Sequence, residues 1–305
     1  MSYFQPPPII MTEVFARLPD HLRRPHRSYW DVNQPGRTRD SFLEGPSFDR
    51  EGRLYVVDGG NGRILRVGVD GEWTVVTEYD GAPNGLKVHR DGHIVVADSR
   101  RGILLLDADS GTITPLLERA ADGFRGVNDL FFAANGDLYF TDQGQSGLHD
   151  PSGRLYRLSA NGTVSLLLSN IPSPNGLVVT PDGLTLYLAV TRANQIWKVP
   201  LHESGMMLKV SVFAYLHGGP AGPDGLALDE EGSLYVAHAG FGAVWQLSSL
   251  AEPKLRLQTC VDGLLTTNVA FGGHRNRWLY ITESATGSIL RAQVPCSGER
   301  MFSHD

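Results

Sequence analysis

Residues 128–142 read NDLFFAANGDLYFTD. A polar pair opens the stretch, an apolar run follows, Asn135-Gly136 interrupts it, and a second apolar run ends on an acid. Each run has the length of a short strand, and glycine between them supplies the positive φ of a tight hairpin. The phrase recurs on both sides. Before it stand EGPSFDREGRLYVVD from Glu44 and NGLKVHRDGHIVVAD from Asn84. After it stand NGLVVTPDGLTLYLAV from Asn175, DGLALDEEGSLYVAH from Asp224 and NVAFGGHRNRWLYITES from Asn268. The six starts are separated by 40, 44, 47, 49 and 44 residues. A period of this size holds four short strands and signals a propeller. A β-sandwich needs no such period, and the Gly-His and Trp-Asp signature of WD40 blades is missing.

Each phrase supplies two strands, A and B. A third follows, as in GRILRVGV from Gly62 or QIWKVPL from Gln195, and a fourth, as in WTVVTEY from Trp73 or KLRLQTCV from Lys254. The sixth phrase has strands A, B and C before the chain ends. Its fourth is available at the other end, where MTEVFARL (residues 11–18) resembles the other fourth strands. An N-terminal strand completing the last blade closes the ring and removes two free sheet edges. The expectation is therefore an all-β, six-bladed β-propeller with four-stranded blades, residues 1–305 forming one domain.

The totals agree. The chain has 305 residues, 35 glycines, 18 prolines and 20% charged residues, which suits short strands and many turns. A net charge of −6 argues against a nucleic-acid partner. Cys260 and Cys296 are the only cysteines, too few for a disulfide framework. Residues 1–15 lack the basic and apolar regions of a signal peptide, and no run of about 18 apolar residues predicts a membrane span. The expected location is the cytoplasm.

In a propeller, strand A lines the channel, and the first residues of the A strands share one mouth. Here they are Glu44, Asn84, Asn128, Asn175, Asp224 and Asn268, all carboxylates or carboxamides. Asn-Gly and Asp-Gly pairs are also ordinary turn formers. That reading does not account for Glu44, nor for Asn128-Asp129 and Asn268-Val269, where no glycine follows. Hard cations take such oxygen ligands. Glu44 and Asp224 would balance one divalent ion, and the lack of His or Cys pairs at ligand spacing argues against a structural zinc site.

At these residues the chain resembles the SMP-30/gluconolactonase family of calcium-dependent lactonases. The likeness is carried by EGPSFDREGRLYVVD, NDLFFAANGDLYFTD, SPNGLVVTPDGLTLYL, GPDGLALDEEGSLYVA and TNVAFGG, over about residues 42–294. The resemblance implies a six-bladed propeller with one catalytic divalent metal, Ca2+ before Zn2+, Mn2+ or Mg2+. It implies Glu44, Asn128, Asn175 and Asp224 as metal ligands and Asp224 as general base in opening a ring ester. Gly225, Ala227, Val269 and Ala270 carry no side-chain oxygen where some relatives hold further ligands, so one metal is expected. The His pair of paraoxonase-like relatives has no counterpart.

The B-to-C loops complete the mouth. Arg192 and His238 are candidates for holding substrate hydroxyls or a carboxylate; Asn128 and Arg125 are further substrate-binding candidates, and Asp129 a brace. Residues 19–43, with His21, His26, Tyr29 and Trp30, and residues 143–153 are long enough to act as lids. The expected function is a metal-dependent hydrolase acting on a lactone, most simply a sugar lactone. The alternatives are a phosphotriesterase-like hydrolase on the same metal and a non-enzymatic binding propeller.

Overall fold

The computed structural model describes residues 4–25, 39–118, 123–202 and 204–304. Six sheets form the structure, each with four antiparallel strands in the order A-B-C-D from the inside outward. The inner strands are Leu43–Phe48, Pro83–Val88, Val127–Phe132, Pro174–Val179, Gly222–Leu228 and Thr266–Gly272. Each touches the next, and the sixth returns to the first, closing a six-bladed β-propeller. Glycines 52, 92, 136, 183 and 232, between strands A and B, all have positive φ, as the hairpin reading requires.

Blades stack face to face, so both faces of the inner strands are buried. This is why strand B reads as an unbroken apolar run, VVAD or LYFTD, rather than an alternating one. Six apolar clusters result, one per blade interface. Tyr55, Ile64, Leu86 and Val96 join blades 1 and 2, for example, and Leu43, Val56, Ala270 and Ile289 join blades 1 and 6. The outer strands are half exposed, as along Trp73–Glu78.

The ring is closed by Glu13–Arg17, antiparallel to Ser288–Gln293 in blade 6. The expected closing strand, 11–18, is thereby shortened. Met11 belongs to a separate strand, Ile9–Met11, which runs parallel to Pro253–Gln258 and gives blade 5 a fifth strand. Thr12 stands at the step between blades. Its N–H donates to the Gln258 carbonyl (2.9 Å) and its hydroxyl accepts from the Cys260 N–H (3.0 Å). The N-terminal segment therefore ties the last two blades together.

The C-terminal segment crosses the opposite end of the channel. The Glu299 N–H donates to the Leu228 carbonyl in blade 5, and the Ser303 hydroxyl donates to the Phe48 carbonyl in blade 1. Between them Phe302 is buried, stacked on Phe132 at 5.0 Å and 4.9 Å from the His89 ring. Phe302→Ala is expected to cost about 3 kcal/mol, as for a buried aromatic replaced by a cavity. Urea unfolding should show a lower midpoint with an unchanged slope. An unaltered midpoint would mean that this segment only rests on the ring.

Candidate functional site at the channel mouth

Six irregularities shape the mouth. In every blade the pairing of strands A and B shifts register at the top of strand A: between Glu44 and Ser47, Pro83 and Gly85, Val127 and Leu130, Pro174 and Leu177, Pro223 and Leu226, and Thr266 and Asn268. A bulge bends its strand and re-aims a side chain. Here the shifts fall at or beside the six polar tip residues.

The glycines after three of the tips serve a different purpose from turn formation. Gly85, Gly176 and Gly225 do not have positive φ. They are sites of close backbone approach. A Cβ on Gly85 would lie 2.9 Å from the Asn128 carbonyl oxygen, one on Gly176 2.6 Å from the Gly225 Cα, and one on Gly225 2.6 Å from the Asn268 Cα. Adjacent inner strands approach closely there, and the space a Cβ would take is filled by Asp129 Oδ1 at Gly85 and by the Asn268 side chain at Gly225. Gly225→Ala is expected to push Asn268 aside and to destabilise the fold by about 1–3 kcal/mol, the usual effect of overpacking. A thermal midpoint unchanged from wild type would show that the inner strands are less tightly opposed.

Glu44, Asn84, Asn128, Asn175 and Asp224 all line one cavity of about 510 Å³ at this mouth. The three amide tips are held from behind. The Asn128 amide donates to Gln143 Oε1 (2.9 Å), and Gln143 in turn donates to the Ser173 hydroxyl (2.8 Å). The Asn175 amide donates to Thr191 Oγ1 (3.2 Å), which donates to the Pro223 carbonyl (2.8 Å). Asn84 donates to the Asn128 carbonyl (3.3 Å). Asn268 does not line the cavity. Its amide bridges Glu44 Oε2 (2.9 Å) and Asp129 Oδ2 (3.1 Å), while Asp129 Oδ1 accepts the Leu130 N–H. Asp129 is thus a brace, and it places a third carboxylate below the pair.

Two oxygens stand out. Asn128 Oδ1 and Asp224 Oδ1 are buried and have no hydrogen-bond partner. A buried polar atom left unpaired costs about 1–3 kcal/mol, more for a charged group. Two of them in one cavity fit a cation-binding site. Among the described residues no group of three or more His, Cys, Asp and Glu side chains is disposed to hold a metal. Any metal at the mouth would therefore have to draw on carboxamides as well, and Asn128 and Asn175 line the same cavity as Glu44 and Asp224.

The electrostatics agree. Burial raises the Glu44 carboxyl from the ordinary 4.5 to about 8, with Asp129 adding to the shift and hydrogen bonds from Gly45, Asn268 and Thr267 opposing it. Burial also raises the Asp224 carboxyl well above its ordinary range, reinforced by Glu44 and Asp129 and opposed by Arg192 and Asn175. Acids buried together and short of compensating charge invite either protons or a cation.

Other sequence-derived candidates separate clearly. Arg192 lines the cavity. His238 does not: it is wholly buried, 2.9 Å from the Gly218 carbonyl through Nε2, accepts from Trp245 at Nδ1 and stacks on Phe241 at 4.8 Å. Desolvation holds its imidazole below the ordinary value. It braces a loop. Arg125 is exposed and outside the cavity lining; its backbone N–H donates to Asp142. The acids ending strand B also point into the blades. Asp58 accepts the Phe42 N–H, Asp98 the Ala82 N–H, Asp142 the Gly126 N–H and Glu283 the Leu265 N–H, so each pins the chain entering its blade. Of residues 143–153, Gln143 to His149 line the mouth. Of the other proposed lid, His21 lies in a short 3-10 turn, and His26, Tyr29 and Trp30 lie outside the described residues.

A model of the SMP-30/gluconolactonase/LRE-like region matches residues 42–285. The chain belongs to this family. It is 28% identical to lactonase drp35 of Staphylococcus aureus (strain USA300) over 222 residues, covering 69% of this chain and 68% of the relative. Its fold is shared with regucalcin, a calcium-binding protein from Agrobacterium tumefaciens, at a TM-score of 0.79 and 24% identity, covering 98% and 99% of the two chains. A gluconolactonase from Xanthomonas campestris is similar at a TM-score of 0.74 and 23% identity, covering 93% and 99%. Among the described residues no helix is long and apolar enough to cross a membrane.

Proposed function

We propose that this family member is a divalent-metal-dependent hydrolase that opens a lactone ring, most simply that of a sugar lactone. The observation that carries the reading is the pair of partnerless buried oxygens, Asn128 Oδ1 and Asp224 Oδ1, in the cavity that Glu44 and Asn175 also line. The names of the relatives support the chemistry. Glu44, Asn128, Asn175 and Asp224 would hold the ion, preferentially calcium. A divalent cation there supplies Lewis acidity, polarising an ester carbonyl and acidifying water.

The chain's own residues do the rest. Asp224 would hold the ion through the partnerless Oδ1 and take the proton of the attacking water on its other carboxylate oxygen. Gln143 and Thr191 accept from the amide ends of Asn128 and Asn175, which would leave the two oxygens free for the ion. Residues 143–149 narrow the mouth and limit water around the bound ester.

Purified protein supplied with calcium and sugar lactones in a pH-stat is expected to release acid, and a chelator to stop it. Acid release unaffected by chelator would refute the metal role. Chelator-sensitive hydrolysis of phosphotriesters with no action on lactones would refute the substrate class.

A further inference from the structure

The mouth carries a charge that opening a neutral ring does not require. Arg192 springs from a fixed base, the 3-10 turn Thr191–Ala193, whose first residue anchors Asn175. The Thr191 N–H is tied to the Ser173 carbonyl (3.0 Å), and the turn closes on Asn194 in the left-handed conformation at φ 53°. Its guanidinium donates one long bond, 3.3 Å, to the Pro220 carbonyl. Many arginines of this chain pair with carboxylates, as do Arg63 with Asp58, Arg154 with Asp142 and Arg157 with Asp137. Arg192 has no carboxylate in salt-bridge reach among the described residues. It is exposed into the cavity, beside His149: both side chains come within 4 Å of the position a Cβ on Gly147 would occupy.

We propose that Arg192 is a specificity-determining residue that selects lactones bearing a carboxylate remote from the ester carbonyl, such as the lactone of a sugar diacid. This rests on the lactonase reading and names its substrate class. A guanidinium with unused N–H donors matches a carboxylate in charge and in bidentate geometry better than it matches single hydroxyls. Asp224 feels the Arg192 charge, so the guanidinium sits within electrostatic range of the reacting end. A cation held by Glu44 and Asp224 would compete for that acid's charge and leave Arg192 directed to the ligand. The His149 ring beside it closes the same side of the pocket.

The test compares calcium-loaded wild type, Arg192→Ala and Arg192→Lys on a carboxylated lactone, glucaro-1,4-lactone, and a neutral one, glucono-1,5-lactone. Wild type is expected to favour the carboxylated ring in kcat/KM by roughly 10- to 100-fold, the range of a charge-assisted bidentate contact. The preference is expected to collapse in Arg192→Ala, chiefly through KM, and to return in part in Arg192→Lys. A wild-type preference for the neutral ring, or a ratio indifferent to Arg192→Ala, would overturn the assignment while leaving lactonase activity standing.

Calorimetric titration with the open-chain acids separates the two claims. Calcium-loaded protein should bind glucarate more tightly than gluconate, and lose that difference in Arg192→Ala, even if neither ring is turned over. Equal binding of the two acids would overturn the role of Arg192 irrespective of turnover.

Discussion

Asp224→Asn is expected to lower kcat on a lactone by about a thousand-fold at saturating calcium, within the range lost when a positioned general base is removed. The substitution keeps the shape and one oxygen, so it removes proton acceptance rather than packing. Folding should be unharmed. Asp224 Oδ1 has no hydrogen-bond partner to lose, and the metal-free carboxyl is held above its ordinary range by burial and by Glu44 and Asp129. Replacing it with a neutral amide removes that conflict, and the metal-free variant should melt no lower than wild type. Glu44→Gln makes the contrast. Glu44 would bind the ion without taking a proton, so its loss should weaken calcium binding, with activity returning as calcium is raised. Wild-type kcat in Asp224→Asn at saturating calcium would end the assignment of this residue as base.

The ring was legible because six copies of one phrase leave little freedom: strand pairs, hairpin glycines and the N-terminal closing strand all follow from periodicity and from edges that must be covered. The five tip residues that line the cavity were legible for the same reason, since topology alone brings strand starts to one mouth. What surrounds them was less so. Gly85, Gly176 and Gly225 read as turn glycines and prove to be places where neighbouring inner strands touch. That contact runs between blades about 45 residues apart in sequence, a separation at which the pattern within one repeat carries no signal. His238 stands at the same repeat position as Asp98 and Asp142 and points inward as they do; the recurring acid at the end of strand B was the available sign that this position serves the blade. Gln143, which holds Asn128, stands at the repeat position of Thr191, which holds Asn175; the two differ in residue type, so their shared role emerged only from distances.

Metal binding should reverse the pH dependence of stability. In the metal-free protein the Glu44 carboxyl is raised from 4.5 to about 8, so between these values the folded chain keeps a proton that the unfolded chain has lost. That contribution is whole below 4.5 and disappears as pH rises through about 8; Asp224 is shifted in the same direction. With chelator present, the thermal midpoint is expected to fall as pH rises from 5 toward 8. A divalent cation replaces the protons, so its affinity should climb over the same interval and its binding should release protons. At pH 8 and a thousand-fold excess over Kd the ion would add about 4 kcal/mol of stability, several degrees in midpoint for a chain of this length. Scans from pH 5 to 9 with calcium or chelator decide the matter. If no divalent cation moves the midpoint at pH 8, the partnerless oxygens of Asn128 and Asp224 need another explanation.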